Sequence, residues 1–119
     1  MRKLVVKVMA GVNDPERAAQ AFTVASTALA AGFEVSLWLT SEASYFALPG
    51  NAESFQLPHS APLHELRDAI LAAGRITLCT QCAARRNLQL GDLIPGIEIR
   101  GSASFVEEIM ADETTSLVY

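Results

Sequence analysis

The sequence predicts an α/β domain in which a mostly parallel sheet of about five strands lies between two layers of helices, a three-layer α/β/α fold. Apolar, β-branched segments alternate along the chain with segments whose apolar residues recur at helical spacing. The first strand segment, from Leu4 to Met9, is apolar at nearly every residue, which is typical of strands buried on both faces. The 119 residues contain no internal repeat or linker, so one domain over residues 1–119 is expected.

The segment after the first strand carries the signals of a helix start. Asp14 is predicted to cap the helix and Pro15 to occupy its first position. Alanine, phenylalanine and leucine side chains then recur at helical spacing, and Gly32 is predicted to end the helix. A second strand is predicted over residues 35–40.

The middle of the chain is predicted to hold two helices separated by a long loop. Ser41 is expected to cap a short helix, and Pro49-Gly50 to stop it. Residues 49–62 contain three prolines and little periodicity, which predicts a loop, and residues 63–73 return to a helical pattern. Long loops in compact domains are usually lids, binding loops or mobile segments, and segment 49–62 could fold over the carboxyl edge of the sheet.

Three strands and two helices are predicted in the last third of the chain, in the order strand 75–78, helix 82–86, strand 97–100, helix 103–110 and strand 114–119. The third strand runs directly into a cysteine. Open α/β sheets bind their ligands at the carboxyl ends of the strands. A functional site is therefore expected where the connections 11–14, 40–44, 79–82 and 100–104 meet.

Charge and hydropathy exclude several classes of protein. The net charge is −4 and the pI near 5.0, and the nine basic residues form no run, which argues against nucleic acid as the main partner. No apolar stretch approaches the roughly 18 residues of a membrane span, and the first apolar run is interrupted by Lys7 and lacks a signal-peptide cleavage site. A cytoplasmic location is expected. Because half of the residues are hydrophobic, some are expected to be buried against another subunit.

The segment Cys79-Thr80-Gln81-Cys82 is the strongest candidate for chemistry. Cys79 ends a predicted strand at the first turn of a helix, where unpaired amides and the helix dipole lower a thiol pKa and favour the nucleophilic thiolate. Cys82 lies on the same helical face and could resolve an oxidised or persulfidated Cys79, or hydrogen-bond to it. Arg86 is expected to add positive charge to that face and Arg85 to point elsewhere. The alternative is that both cysteines are small buried hydrophobic residues.

Two further residues are candidates for binding. His59, on the predicted loop, could act as a base or proton donor to a nearby thiol, although a lone loop histidine is more often simply exposed. Asn13 faces the predicted sheet edge, where a capping role also explains its presence. Two cysteines and two histidines without finger-like spacing do not make up a zinc set, so no metal is predicted.

The segment Cys79-x-x-Cys82-Ala83-Ala84-Arg85-Arg86-Asn87 resembles the region around the key cysteine of the DsrE/DsrF-like family. The order of elements and the cap at Asp14-Pro15 fit the same family over nearly the whole chain. The sequence differs from the family pattern at Asn87, where the family commonly has glycine. Asparagine also tolerates the left-handed conformation at a helix end.

The resemblance implies that Cys79 corresponds to the cysteine that carries a persulfide in sulfur-relay subunits, and Cys82 to a second cysteine of some stand-alone members. It also implies homo-oligomers, often trimers or hexamers, with the cysteine near a subunit interface, and sulfur-donor and sulfur-acceptor proteins as partners. The leading hypothesis is a persulfide carrier or sulfurtransferase-like protein without an organic cofactor. A thiol–disulfide redox protein and a non-enzymatic oligomeric ligand-binding module remain the alternatives, and whether the protein is an enzyme stays open.

Overall fold

The structure is a computed structural model that describes residues 2–119. Its strands are β1 (Lys3–Val8), β2 (Glu34–Leu39), β3 (Arg75–Cys79), β4 (Glu98–Arg100) and β5 (Thr114–Val118). They form one sheet in the order β4-β3-β2-β1-β5, and every neighbouring pair is parallel. The predicted α/β class and sheet are confirmed, and each predicted strand agrees with the structure to within one residue at either end.

The helices in the described residues are α1 (Pro15–Ala30), α2 (Asn51–Ser54), α3 (Leu63–Ala73), α4 (Thr80–Arg85) and α5 (Ser102–Ile109), with 3₁₀ helices over Ser41–Ala47 and Leu90–Asp92. Helix α1 begins as predicted, because the Asp14 carboxylate accepts the Arg17 backbone N–H at 3.4 Å and Pro15 takes the first position. Its end is followed by Gly32 at φ 94°, a left-handed conformation that glycine adopts without strain. None of these helices has the length and hydrophobicity to cross a membrane.

Three local predictions were wrong. Ser41 does not cap the short helix; it is the first residue of the 3₁₀ helix, and Thr40, at the cap position, makes no side-chain capping bond. Helix α4 begins at Thr80, two residues earlier than predicted, and Cys79 occupies the cap position. The predicted loop over residues 49–62 contains α2, whose Glu53 side chain accepts the Gly50 N–H at 3.1 Å.

The order of the strands explains why the two faces of the sheet differ. The chain moves from β1 to β4 in one direction across the sheet and then returns past β1 to β5. Because parallel crossovers are right-handed, the connections of the first series lie on one face and the returning α5 lies on the other. The main core is on the first face, where α1 and α3 pack on alternate residues of β1, β2 and β3 and on Phe46 of the first 3₁₀ helix.

The second face carries a polar network beneath α5. Glu108 is 8% exposed, and its carboxylate accepts hydrogen bonds from Trp38 Nε1 at 3.4 Å and from Arg100 at 3.2 Å. Lys3 and Arg75 approach the same carboxylate at 3.7 and 3.8 Å. Burial raises the pKa of this carboxyl, but the hydrogen bonds and neighbouring cations outweigh burial, so the pKa lies below its ordinary value.

A second ion pair ties α2 to α3. Arg67 is 4% exposed and donates two hydrogen bonds to Glu53, at 3.0 and 2.8 Å. This two-pronged geometry is the strong form of an arginine–carboxylate pair. It lowers the pKa of Glu53 from 4.5 to about 2, the hydrogen bond from Arg67 being the largest cause. The pair therefore fixes the short helix inside the segment that the sequence pattern predicts to be a loop.

Candidate functional site

The carboxyl ends of β1, β2 and β3 and the start of α5 surround a hollow of about 330 Å³. The residues that give it chemical character are Lys7, Ser41, Cys79, Cys82, Arg85 and Arg86. The structure therefore brings the two cysteines and one predicted arginine together at the expected edge of the sheet.

Cys79 is the last residue of β3 and precedes the first residue of α4. Its backbone is still extended, with φ −64° and ψ 131°, so the side chain is half-buried at the mouth of the hollow and next to the first amides of the helix. Burial raises the pKa of Cys79, but the backbone N–H groups of Cys82 and Gln81 lower it. The Cys82 thiol and the charge of Lys7 lower the pKa further, and the net shift is downward, which favours the thiolate.

Cys82 is 8% exposed and both thiols are free. The backbone N–H of Ser41 donates a hydrogen bond to the Cys82 sulfur at 3.2 Å. Ser41 has φ 51°, a left-handed conformation that a non-glycine residue adopts only when its surroundings require it. The Cys82 thiol also contributes to lowering the pKa of Cys79. Cys82 is thus held in a defined position rather than packed as a featureless hydrophobic residue.

Arg86 and Arg85 both border the hollow, so the expectation that Arg85 points elsewhere was wrong. Arg86 donates a hydrogen bond to the Cys82 carbonyl at 3.3 Å, and its guanidinium lies 5.5 Å from the centre of the Tyr45 ring. Helix α4 is short enough that residues at its end remain close to its start. Asn87 at φ 53° then turns the chain away, as the resemblance to a glycine position implied.

Lys7 is a site residue that the sequence reasoning missed. Its register partner is Trp38 on β2, and its amino group lies 5.1 Å from the centre of the Phe105 ring on α5. Lys7 lowers the pKa of Cys79 by its positive charge. A lone charge inside an otherwise apolar strand was the available signal, because such a residue must face something other than the main core. Ser41 and Ser102, which also line the hollow, lie in the connections 40–44 and 100–104 that were expected to meet there, although neither was singled out as a site residue.

The other two candidates lie away from the cysteines. The Asn13 side chain is exposed and accepts the Gly11 N–H at 2.9 Å, which stabilises the turn before α1. His59, at φ 62°, lines a groove with Gln20 and Thr23 of α1, and neither it nor the rest of segment 49–62 borders the hollow at Cys79. The expectation that this segment covers the cysteines was wrong, because α2 and the adjoining turn pack beside α1 and α3 instead.

No group of three or more histidine, cysteine, aspartate or glutamate side chains within residues 2–119 is arranged to hold a metal ion. The hollow offers thiols, backbone N–H groups, cationic side chains, and the hydroxyl and amide groups of Thr40, Ser41, Ser102 and Gln81. Such an arrangement can stabilise a thiolate and attract an anion, and Cys79 itself is only partly buried.

Comparison with known proteins places this geometry in context. The family model described as the DsrE/DsrF-like family matches residues 2–113. Among solved structures, the ychN protein from E. coli has a TM-score of 0.79 at 19% identity, over 98% of this chain and 100% of its own. A protein of unknown function, MTH1491 from Methanobacterium thermoautotrophicum, has a TM-score of 0.76 at 9% identity, with 100% of each chain covered. At these identities the two structures support the fold alone. No curated protein matches the chain significantly.

Proposed function

This chain belongs to the DsrE/DsrF-like family, and we propose that it is a cysteine-persulfide carrier, or sulfurtransferase-like protein, of intracellular sulfur metabolism. The observation that carries the proposal is the environment of Cys79, a half-buried thiol at a strand end that two backbone amides, a second thiol and Lys7 together shift toward the thiolate. The same donors can stabilise the terminal sulfur of a persulfide, which is also an anion.

The proposed reaction needs no cofactor. The Cys79 thiolate attacks a sulfane sulfur atom of the donor, a new S–S bond forms, and the donor's own thiolate or hydrosulfide leaves with the electron pair of the broken bond. An acceptor thiolate then attacks the terminal sulfur of the persulfide, and Cys79 leaves as the thiolate. Charge and electrons balance in each step without an external oxidant.

Loading with inorganic polysulfide tests this proposal. We expect the wild-type protein to gain one sulfur atom at Cys79, read by intact-mass and peptide mass spectrometry, and to release it to cyanide as thiocyanate. Cys79→Ala should lose both the added mass and the thiocyanate, whereas Cys82→Ala should still load. Equal, cyanide-labile loading of the Cys79→Ala variant and the wild-type protein would exclude Cys79 as the carrier.

A thiol–disulfide redox function is the second candidate, because the Cys82 thiol lies within hydrogen-bonding reach of Cys79. It requires a reversible intramolecular disulfide at a potential near the cytosolic glutathione poise. Titration with glutathione redox buffers, followed by alkylation and mass spectrometry, separates the two functions. A pair that stays reduced at every physiological ratio supports the carrier.

The same proposal includes assembly into trimers or hexamers. It also includes exchange of sulfur with donor and acceptor proteins in the cytoplasm. Val106 of α5, Met110 directly after α5 and Val118 of β5 are 53%, 75% and 63% exposed. Apolar side chains exposed to this degree fit a subunit contact. Sedimentation velocity at micromolar concentration measures the oligomeric state directly.

A further inference from the structure

The hollow at Cys79 is positively charged in a chain whose net charge is −4. Three cations border it, namely Lys7, Arg85 and Arg86, and no carboxylate does. Elsewhere on the second face the cations have a counterion, since Arg75 and Arg100 both approach the Glu108 carboxylate. The excess of positive charge is therefore local to the cysteines.

None of these three cations is within 4 Å of a carboxylate of residues 2–119. Lys7 and Arg86 lie over the rings of Phe105 and Tyr45, which hold the side chains in place without neutralising them. The Nε of Arg86 is buried and has no hydrogen-bond partner. Partly buried cations without counterions attract an anion, and an unpaired buried N–H favours a ligand with acceptor oxygens.

We propose that this hollow binds a small anionic sulfane-sulfur donor, a compound whose transferable sulfur is bonded to an oxyanion leaving group. This inference rests on the proposed carrier function and names the chemical class of its donor. With thiosulfate as the probe, the Cys79 thiolate bonds to the outer sulfur, the S–S bond of thiosulfate breaks, and sulfite leaves with its electron pair. The reactants carry one and two negative charges, the persulfide anion and sulfite carry the same total, and no oxidant is consumed.

Electrostatics explains why this donor needs the three cations. A thiolate and a dianion repel each other at bonding approach, and the repulsion grows as the hollow excludes water. Lys7, Arg85 and Arg86 supply three positive charges against the three negative charges of the reacting pair. A neutral or protein-bound persulfide donor does not require this balance, so dependence on the cations distinguishes the small anion from those sources.

The first test measures anion preference without any sulfur transfer. Iodoacetate is anionic and iodoacetamide neutral, and both alkylate the same thiolate, so the ratio of their rates at Cys79 cancels the effect of the thiol pKa. In the Cys82→Ala background we expect this ratio to exceed that of free cysteine by at least about threefold at physiological salt, from the summed Coulomb attraction of the cations. In the triple variant Lys7→Gln/Arg85→Gln/Arg86→Gln, the rate ratio should fall to that of free cysteine. In the control Arg17→Gln, which removes a cation from α1, the ratio should be unchanged.

Because Arg86 is partly buried, the triple variant could fail to fold; the exposed Arg85 provides a second variant. Arg85→Glu reverses one charge at the mouth and should lower the ratio about twofold or more. A ratio equal to that of free cysteine in the wild-type protein, or a ratio insensitive to Arg85→Glu, would overturn the proposed anion site.

The second test measures sulfur transfer from thiosulfate, with sulfite release and the mass of Cys79 as readouts. We expect sulfite and the added sulfur in equal amounts, a rate about threefold lower in Arg85→Gln, and no change in Arg17→Gln. If polysulfide loads Cys79 and thiosulfate does not, the donor class proposed here is wrong while the carrier function stands. If neither compound loads Cys79, the carrier function itself fails, and the donor class fails with it.

Discussion

Replacing Cys82 with alanine should raise the pKa of Cys79 and leave its position unchanged. Cys82 contributes to Cys79 in two separate ways, through a backbone N–H and through the thiol. The substitution removes only the thiol, because alanine keeps the backbone amide. The backbone N–H of Gln81 and the charge of Lys7 also remain.

The size of the effect follows from the bond that is lost. A hydrogen bond to a charged group contributes about 1.5–3 kcal/mol, and an S–H donor lies at or below the weak end of that range. Because about 1.4 kcal/mol corresponds to a factor of ten in an acid-dissociation constant, the loss of this donor should raise the pKa of Cys79. At a pH below both pKa values, the thiolate population and the alkylation rate should fall by up to about tenfold.

The assay is the pH dependence of iodoacetamide alkylation at Cys79, resolved by peptide mass spectrometry so that each thiol is followed separately. Cys82→Ser is the matched control, since its hydroxyl keeps a donor at nearly the same place and should restore most of the shift. Cys82→Ala also leaves the Ser41 amide without its sulfur acceptor, so thermal unfolding is recorded in parallel. An unchanged or lower pKa of Cys79 in a folded Cys82→Ala variant would refute the assigned donor role.

Three predictions concern stability. Glu108→Gln removes the carboxylate that several cations share and should lower the free energy of unfolding by about 3 kcal/mol in urea titrations. The exposed control Glu98→Gln should lower it by under about 1 kcal/mol. Equal losses in the two variants would contradict the network. Gly11→Ala places a Cβ 2.6 Å from the backbone carbonyl oxygen of Glu42, in the 3₁₀ helix Ser41–Ala47, and should cost about 1–3 kcal/mol in the same titration. Gly91→Ala, with nothing within 4 Å of the added Cβ, should not be destabilising. The pKa of Glu53 is lowered to about 2, so its contribution to stability is present above about pH 4.5 and is lost as the pH falls toward 2. The difference in Tm between the wild-type protein and Glu53→Gln should therefore shrink over that range. A constant difference in Tm would contradict the ion pair with Arg67.

The strands and the cysteine position were predictable because they depend on local pattern. Apolar β-branched runs determine the strands, and Cys79 follows the third of them directly. Helix α2 was missed because four residues are too few for a periodic signal, and because its support comes from Arg67, 14 residues further along the chain. Such pairing depends on how α3 packs, which the spacing of apolar residues does not specify.

The surroundings of the cysteines were less predictable for the same reason. The sequence places Cys79, Cys82 and Arg86 at spacings of three and four residues, so their proximity follows from about two turns of helix. Lys7 and Ser41 come from other strand ends, and their approach depends on the strand order β4-β3-β2-β1-β5. The helical position of Arg85 relative to Cys82 suggested that it points away, but a six-residue helix at the rim of a hollow presents more than one side to it.

The topology also accounts for the charge around Cys79. Because only α5 returns across the second face, that face is covered incompletely and its inward positions need not be apolar. Lys7 occupies one of these positions, where its amino group lies 5.1 Å from the centre of the Phe105 ring and borders the hollow. On the first face the same strand position would be enclosed by α1 and the core, where an unpaired ammonium is too costly. The proposed anion site therefore depends on the single return crossover of this sheet as much as on the cysteine motif.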